Sequence, residues 1–250
     1  MIHLKSAQEI RIMDRANRIV LEVLDALEAA LAPGLPLREL DRMAAALCAE
    51  RGGRPAFKGY HGYPASVCVS VNDEVVHGIP ADRRLATGDL VSLDFGVLYE
   101  GYYGDAARTC CVGEPDADAR RLLAVTRESL LRGIAQARPG NRVSDISHAV
   151  QSWVEAHGFS VVRDYVGHGI GRALHEEPQV PNFGEPGRGQ RLQPGMVLAI
   201  EPMVNEGTAD VSVDGDGWTV RTADGRRSAH FEYSVAVTPA DPLVLGVGAA

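Results

Sequence analysis

Leu85-Ala-Thr-Gly88-Asp-Leu-Val91-Ser-Leu93-Asp94 and Leu192-Gln-Pro-Gly195-Met-Val-Leu198-Ala-Ile200-Glu201 are two versions of one pattern. Each is a glycine-containing turn that runs into apolar residues and stops at a carboxylate. They lie 107 residues apart (195 − 88, 201 − 94). A second pair agrees with the first. Leu31-Ala-Pro33-Gly34-Leu-Pro-Leu37-Arg-Glu-Leu40 leads through an apolar-periodic run to Leu47 and Gly52. Ala137-Arg-Pro139-Gly140-Asn-Arg-Val143-Ser-Asp-Ile146 leads likewise to Trp153 and Gly158, at an offset of 106 (139 − 33, 158 − 52). Pro-Gly after a helix is common punctuation. Two ungapped matches at nearly one offset point instead to an internal duplication, with halves of about 1–115 and 116–250. No Ser/Gly linker separates the halves, so residues 1–250 are expected to form a single domain with one sheet and one core.

Local signals place the elements. Ser6-Ala-Gln-Glu9 is a capping box, and Met13, Ala16, Val20, Leu24, Leu27 and Leu31 recur on one helical face. Further helices are predicted near 37–51, 117–137 and 144–157. Strands are predicted near 66–71, 90–99, 103–112, 161–165, 196–204, 217–222 and 231–238. The fold class is therefore α+β, with a mainly antiparallel sheet flanked by helices. The tail from Pro239 to Ala250 is expected to be loosely held.

Composition narrows the function. A net charge of -8 argues against a protein that lives on phosphate contacts, so no nucleic-acid partner is expected. Cys48, Cys68, Cys110 and Cys111 contain no CxxC, and adjacent cysteines cannot bridge without strain, so a reducing compartment is expected. The N-terminus runs straight into a charged amphipathic helix, which argues against a signal peptide. No run approaches the ~18 apolar residues of a membrane span. The expectation is a cytoplasmic monomer with no membrane contact.

Carboxylates stand where they are costly. Asp94 and Glu201 end runs that read as buried strands, and an ionised acid there needs a positive partner. The duplication aims both at one central point. Asp105, in Gly101-Tyr-Tyr-Gly104-Asp105, follows Asp94 by 11 residues (105 − 94), a spacing a hairpin can close. Glu232 sits among the strand-forming residues of Phe231-Glu232-Tyr-Ser-Val-Ala-Val. His168, between Gly167 and Gly169, completes the set, since glycines let a backbone approach a ligand closely. Four carboxylates sum to −4, which two divalent cations balance. Oxygen-rich ligation with one imidazole suits Mn, Fe, Co or Zn. A water bridging such a pair loses a proton near neutral pH and becomes a hydrolytic nucleophile.

Gly59-Tyr-His-Gly-Tyr63-Pro-Ala-Ser-Val-Cys68, Asn72, Val76-His77-Gly-Ile-Pro80, Gly167-His168-Gly-Ile-Gly-Arg172 and His175-Glu-Glu-Pro178, with Asp94, Asp105, Glu201-Pro202-Met203 and Glu232, resemble type I methionine aminopeptidases from about residue 5 to 238. The resemblance implies the curved, pseudo-two-fold "pita-bread" fold. It also implies metal-dependent removal of N-terminal methionine from nascent proteins, preferentially before a small second residue, by hydroxide bridging two metals. The roles implied are metal ligation by Asp94, Asp105, His168, Glu201 and Glu232, proton shuttling by Glu201, contact with the scissile amide by His77, and contact with the carbonyl oxygen by His175. The methionine side chain is implied to enter a pocket of Tyr60, Tyr63, Cys68, Leu174 and Trp218, since a thioether packs well on aromatic rings. The sequence leaves open a transient contact with the ribosome. Four positions depart from the family pattern. Leu174 stands where Phe is common, Phe57 where some members carry Cys, His230 where Gln is frequent, and Gly96 where some carry Thr. The alternatives are a proline-specific aminopeptidase or dipeptidase of the same fold, and a non-catalytic peptide-binding module.

Overall fold

Residues 2–247 are described by a computed structural model. Helix α1 (Ala7–Ala30) starts at Ser6, whose Oγ accepts the Glu9 amide while the Glu9 carboxylate takes the Ser6 N–H. Two orphan donors of the first turn are satisfied in this way. The helix buries Met13, Ala16, Val20, Leu24 and Leu27 on one face, and Leu31 caps it, half-buried. There follow α2 (Leu37–Glu50), β1 (Arg54–Pro55), a 3-10 turn at Tyr60–Gly62, β2 (Cys68–Val71), β3 (Glu74–Val76) and the long hairpin β4 (Leu90–Tyr99) and β5 (Tyr102–Cys111). After it come α3 (Ala117–Ala135), N-capped by Asp116, and α4 (Val143–Ala156). The remaining strands are β6 (Ser160–Val161), β7 (Gly167–Gly169), β8 (Glu176–Val180), β9 (Val197–Ile200), β10 (Met203–Asn205), β11 (Val211–Val213), β12 (Val220–Thr222), β13 (Ser228–His230), β14 (Glu232–Ala236) and β15 (Leu243–Val244). The sequence offset recurs in space. Helix α4 begins and ends 106 residues after α2 (143 − 37, 156 − 50), and β9 begins 107 after β4 (197 − 90).

One nine-stranded sheet runs β1-β4-β5-β14-β9-β7-β8, with β2 added on β4 and β15 on β14, and its ladders are antiparallel. Two three-stranded sheets, β13-β10-β6 and β11-β12-β3, flank it. Register explains where the site falls. Ala107 of β5 pairs with Asp94 on one side and Glu232 on the other, and Cys68 pairs with Asp94 in turn. Asp105 lies two residues from Ala107 and so shares its face. Ala199 of β9 pairs with Ser234 and with His168, and Glu201 lies two residues beyond it. All five acid and histidine positions therefore belong to one face, with the small side chains of Ala107, Ala199 and Ser234 between them. The opposite face is apolar. Val91, Leu93, Phe95 and Val97 pack under α1 and α2, whereas Leu198, Ile200 and Val235 pack with residues of α3 and α4.

Several expectations are corrected. Strands of both halves share the main sheet, but the interior is divided into separate clusters, one chiefly under α1 and α2 and another chiefly under α3 and α4; Tyr233 packs against both. The strand predicted over 161–165 is two residues long. That over 196–204 breaks at Glu201-Pro202, since proline has no N–H to continue the ladder. That over 217–222 shortens to β12. The tail is not loose over its described part: β15 pairs with β14, Leu245 is buried, and the Gly246 amide donates to Asp14. The last residues of the predicted loose tail, 248–250, lie outside the described residues.

Candidate metal centre and its cavity

Helix α1 crosses directly over Gly104, where a Cβ would stand 2.9 Å from the Ala16 carbonyl carbon. Asn17 on that helix accepts the Asp105 amide at 3.2 Å, so the hairpin end that carries Asp105 is pinned to α1. Asp105 and Glu232 are 4% and 2% exposed, yet Asp105 Oδ1 and Glu232 Oε1 have no hydrogen-bond partner, nor has Asp94 Oδ1. Ligating atoms of Asp105, His168 and Glu232 lie within 4.8 Å of one another. His168 Nδ1 lies 2.9 Å from the Gly169 carbonyl oxygen. A carbonyl only accepts, so Nδ1 carries the proton and the Nε2 lone pair is left free, 3.6 Å from Glu201 Oε1. Burial, joined by the charge of neighbouring acids, pushes Asp105, Glu201 and Glu232 well above the ordinary carboxylate range, and burial pushes Asp94 up to about 7. Four acids in one enclosed space cannot all ionise without positive charge. Orphaned carboxylate oxygens and an unprotonated imidazole nitrogen drawn this close together suit a divalent metal ion.

The acids form the floor of a cavity of about 450 Å³. Every residue singled out as a substrate contact, from Tyr60 to Trp218, lines it. Tyr63 meets Trp218 edge-on at 5.1 Å between ring centroids. His175 stands on His168 at 4.2 Å, with Nδ1 2.7 Å from the Tyr60 hydroxyl. His77 has a left-handed backbone (φ 61), uncommon for a residue with a side chain. It is fixed through the next residue, Gly78. The Gly78 amide donates to Ser70 Oγ, and the Gly78 carbonyl accepts from the Val69 amide and from the Tyr63 hydroxyl at 2.8 Å. Burial and the nearby His175 hold the His77 imidazole down at about 4, so it is neutral at pH 7.

Sequence reasoning passed over His61, which also lines the cavity and sits edge-on to Tyr60 at 4.4 Å. Its place between two singled-out tyrosines was the available signal. Tyr165, edge-on to His77 at 5.5 Å, was missed too, because it ends the strand predicted over 161–165 and nothing in that stretch marks it as meeting a residue 88 positions earlier (165 − 77). Two of the four departures meet in space. A Cβ at Gly96 would stand 2.7 Å from the Phe57 ring, so Phe57 occupies the space that a side chain at 96 would need. The two changes are one. Leu174 is buried in the cavity wall. His230 is 1% exposed, with Nε2 3.7 Å from Glu201 Oε2 and neither ring nitrogen hydrogen-bonded.

Residues 11–239 match the family model of metallopeptidase family M24. The chain belongs to metallopeptidase family M24. It is 52% identical to a methionine aminopeptidase of Clostridium perfringens, with 98% of each chain covered. It is 51% identical to methionine aminopeptidase 1 of Bacillus subtilis, over 95% of this chain and 96% of the other. The crystal structure of a methionine aminopeptidase from Thermotoga maritima superposes with a TM-score of 0.97 at 46% identity, covering 98% of this chain and 99% of that one. A prolidase from Pyrococcus furiosus shares the fold, with a TM-score of 0.80 at 24% identity, over 99% of this chain and 66% of its own. Membership in M24 implies divalent metal, which the donor set above fits. Among the described residues no helix is long and apolar enough to cross a membrane.

Two predictions follow from the electrostatics and packing. Raised carboxylate pKa values mean that the folded, metal-free protein binds more protons than the unfolded chain, so stability falls as pH rises through those values. The depressed His77, His168 and His230 act in the opposite direction, but only below their ordinary value of 6.5. Thermal unfolding of chelator-treated protein should therefore show stability declining above about pH 6.5, and saturating divalent metal should abolish the decline. At a hundredfold excess over Kd the metal should add about 2.7 kcal/mol. A metal-free protein whose stability climbs from neutral to mildly alkaline pH would contradict this. Secondly, Gly96→Thr should cost about 1–3 kcal/mol by overpacking, and Phe57→Cys in the same chain should recover most of it in denaturant titrations.

Proposed function

We propose that this chain is a methionine aminopeptidase that removes the N-terminal methionine of nascent proteins, preferentially when the second residue is small. The observation that carries the reading is the joining of the acid cluster to an apolar cavity walled by Tyr60, Tyr63, Cys68, Leu174 and Trp218. Such a wall suits a flexible thioether, which packs well against aromatic rings. Half identity over nearly the whole chain to proteins of that name supports it. Residues 1–250 act as one catalytic domain of two related halves, about 1–115 and 116–250. The enzyme works in the cytoplasm as a monomer on the N-termini of nascent polypeptides.

Asp94, Asp105, His168, Glu201 and Glu232 would hold two divalent ions, of the Mn, Fe, Co or Zn class, whose charge offsets that of four carboxylates. Bound there, the ions supply Lewis acidity that polarises the scissile carbonyl and lowers the pKa of water toward neutrality. Glu201 takes up the proton of the attacking water. With the Tyr60 hydroxyl donating to Nδ1, neutral His175 keeps its proton on Nε2, where it can donate to the carbonyl oxygen as negative charge develops. His77 contacts the scissile amide and assists protonation of the leaving nitrogen. The aromatic walls exclude water and seat the first side chain, so that the second residue meets the region of His77 and Tyr165.

Purified protein with added Mn or Co should release free methionine from Met-Ala-Ser, much less from Met-Lys-Ser, and none after chelation. Cleavage before proline irrespective of methionine would move the assignment to the prolidase branch. His77→Ala should retain metal but lose about 10²–10⁴-fold in turnover, whereas Asp105→Ala should lose metal in calorimetric titration. Normal turnover by His77→Ala would remove it from the mechanism.

A further inference from the structure

The turn that carries Leu174 and His175 is held from beneath by a buried ion pair. Lys5 Nζ lies 2.6 Å from Glu176 Oε2, with the two side chains 5% and 9% exposed. The other carboxylate oxygen of Glu176 accepts the amides of Arg172 at 2.8 Å and Ala173 at 3.3 Å, the two residues that lead into Leu174. The Lys5 stem crosses Gly171 so closely that a Cβ there would stand 2.4 Å from Lys5 Cε. The Lys5 amide donates to the Gly195 carbonyl at 2.7 Å, in the turn before β9 and Glu201. On the outer side Arg172 lies over the Tyr102 ring and 3.5 Å from Glu9, which also accepts the Tyr102 hydroxyl. The N-terminal segment thus grips this turn at two places, while His175 on the turn faces Tyr60 and His168 in the cavity.

We infer that Lys5 and Glu176 are positioning residues for His175. The inference rests on the reading of His175 as the group that meets the substrate carbonyl oxygen. A buried carboxylate with one ammonium and two amides as donors has a single comfortable place, and the turn tethered to it shares that place. Removal of the ammonium leaves an unpaired buried charge, which turns toward water and releases the amides. A catalytic group displaced by about 1 Å can lose about 10²-fold in rate.

Lys5→Met keeps the stem and removes the charge. With Zn-loaded full-length protein, the His175 ring Cε1–H cross-peak in the NMR spectrum should move while that of His77 stays. The kcat on Met-Ala-Ser should fall about tenfold or more, with KM changed less and calorimetric metal affinity unchanged. The cross-peak is read whether or not the protein cleaves peptides, so failure of the peptidase reading is distinguishable from failure of this one. Lys5→Met/Glu176→Gln, which keeps an oxygen for the two amides and removes the orphaned charge, should recover much of both the signal and kcat. If Lys5→Met does not fold, Glu176→Asp, which retracts the carboxylate from all three donors, carries the same expectations. An unmoved His175 signal, additive effects in the double variant, or loss of metal affinity in proportion to kcat would each overturn the inference.

Discussion

Four carboxylates on one face of a sheet repel one another, and much of the architecture is an answer to that repulsion. Asp94 and Glu232 flank Ala107 in a single row across three strands, with Asp105 a step away on the same face. The small side chains beneath them leave room for something else. Dense apolar packing on the opposite face, under two helix pairs, provides the stabilisation against which this concentration of charge is held. Without that backing the acids would separate into solvent. With it they remain where only protons or metal can satisfy them.

Much of this was legible in the sequence because the duplication is unusually literal. Helix α4 repeats α2 residue for residue at the offset read from Pro33-Gly34 and Pro139-Gly140, and the acid-ended strands repeat with one residue of slippage. The α+β class and antiparallel sheet are as expected. The cavity gathers the acids and the aromatic residues named from the family resemblance. What the sequence hid was of two kinds. Short strands such as β3, β7 and β8 have too few residues to display a period, and β7 is mostly glycine. Contacts distant in sequence leave no local mark. Lys5 and Glu176 are 171 positions apart, and nothing near either announces the other.

Two departures from the family pattern are in contact. Phe57 and Gly96 look like two unrelated changes when read along the chain, yet Phe57, just past β1, lies against Gly96 of β4, where its ring fills the volume that a side chain at 96 would need. The cavity keeps a wall there by different means. His230, enclosed with Nε2 3.7 Å from Glu201 Oε2, has no such counterpart among the other departures.

The hydroxyl of Tyr63 ties the cavity wall to the backbone beside His77. Its ring walls the cavity against Trp218, while its oxygen donates to the carbonyl of Gly78, the residue after His77. A single side chain thereby walls the cavity and braces an unfavourable backbone conformation next door. Anyone wishing to widen the pocket for a bulkier amino acid cannot trim this ring freely. The redesign must also resupply the lost brace, or the histidine relaxes as the door is opened.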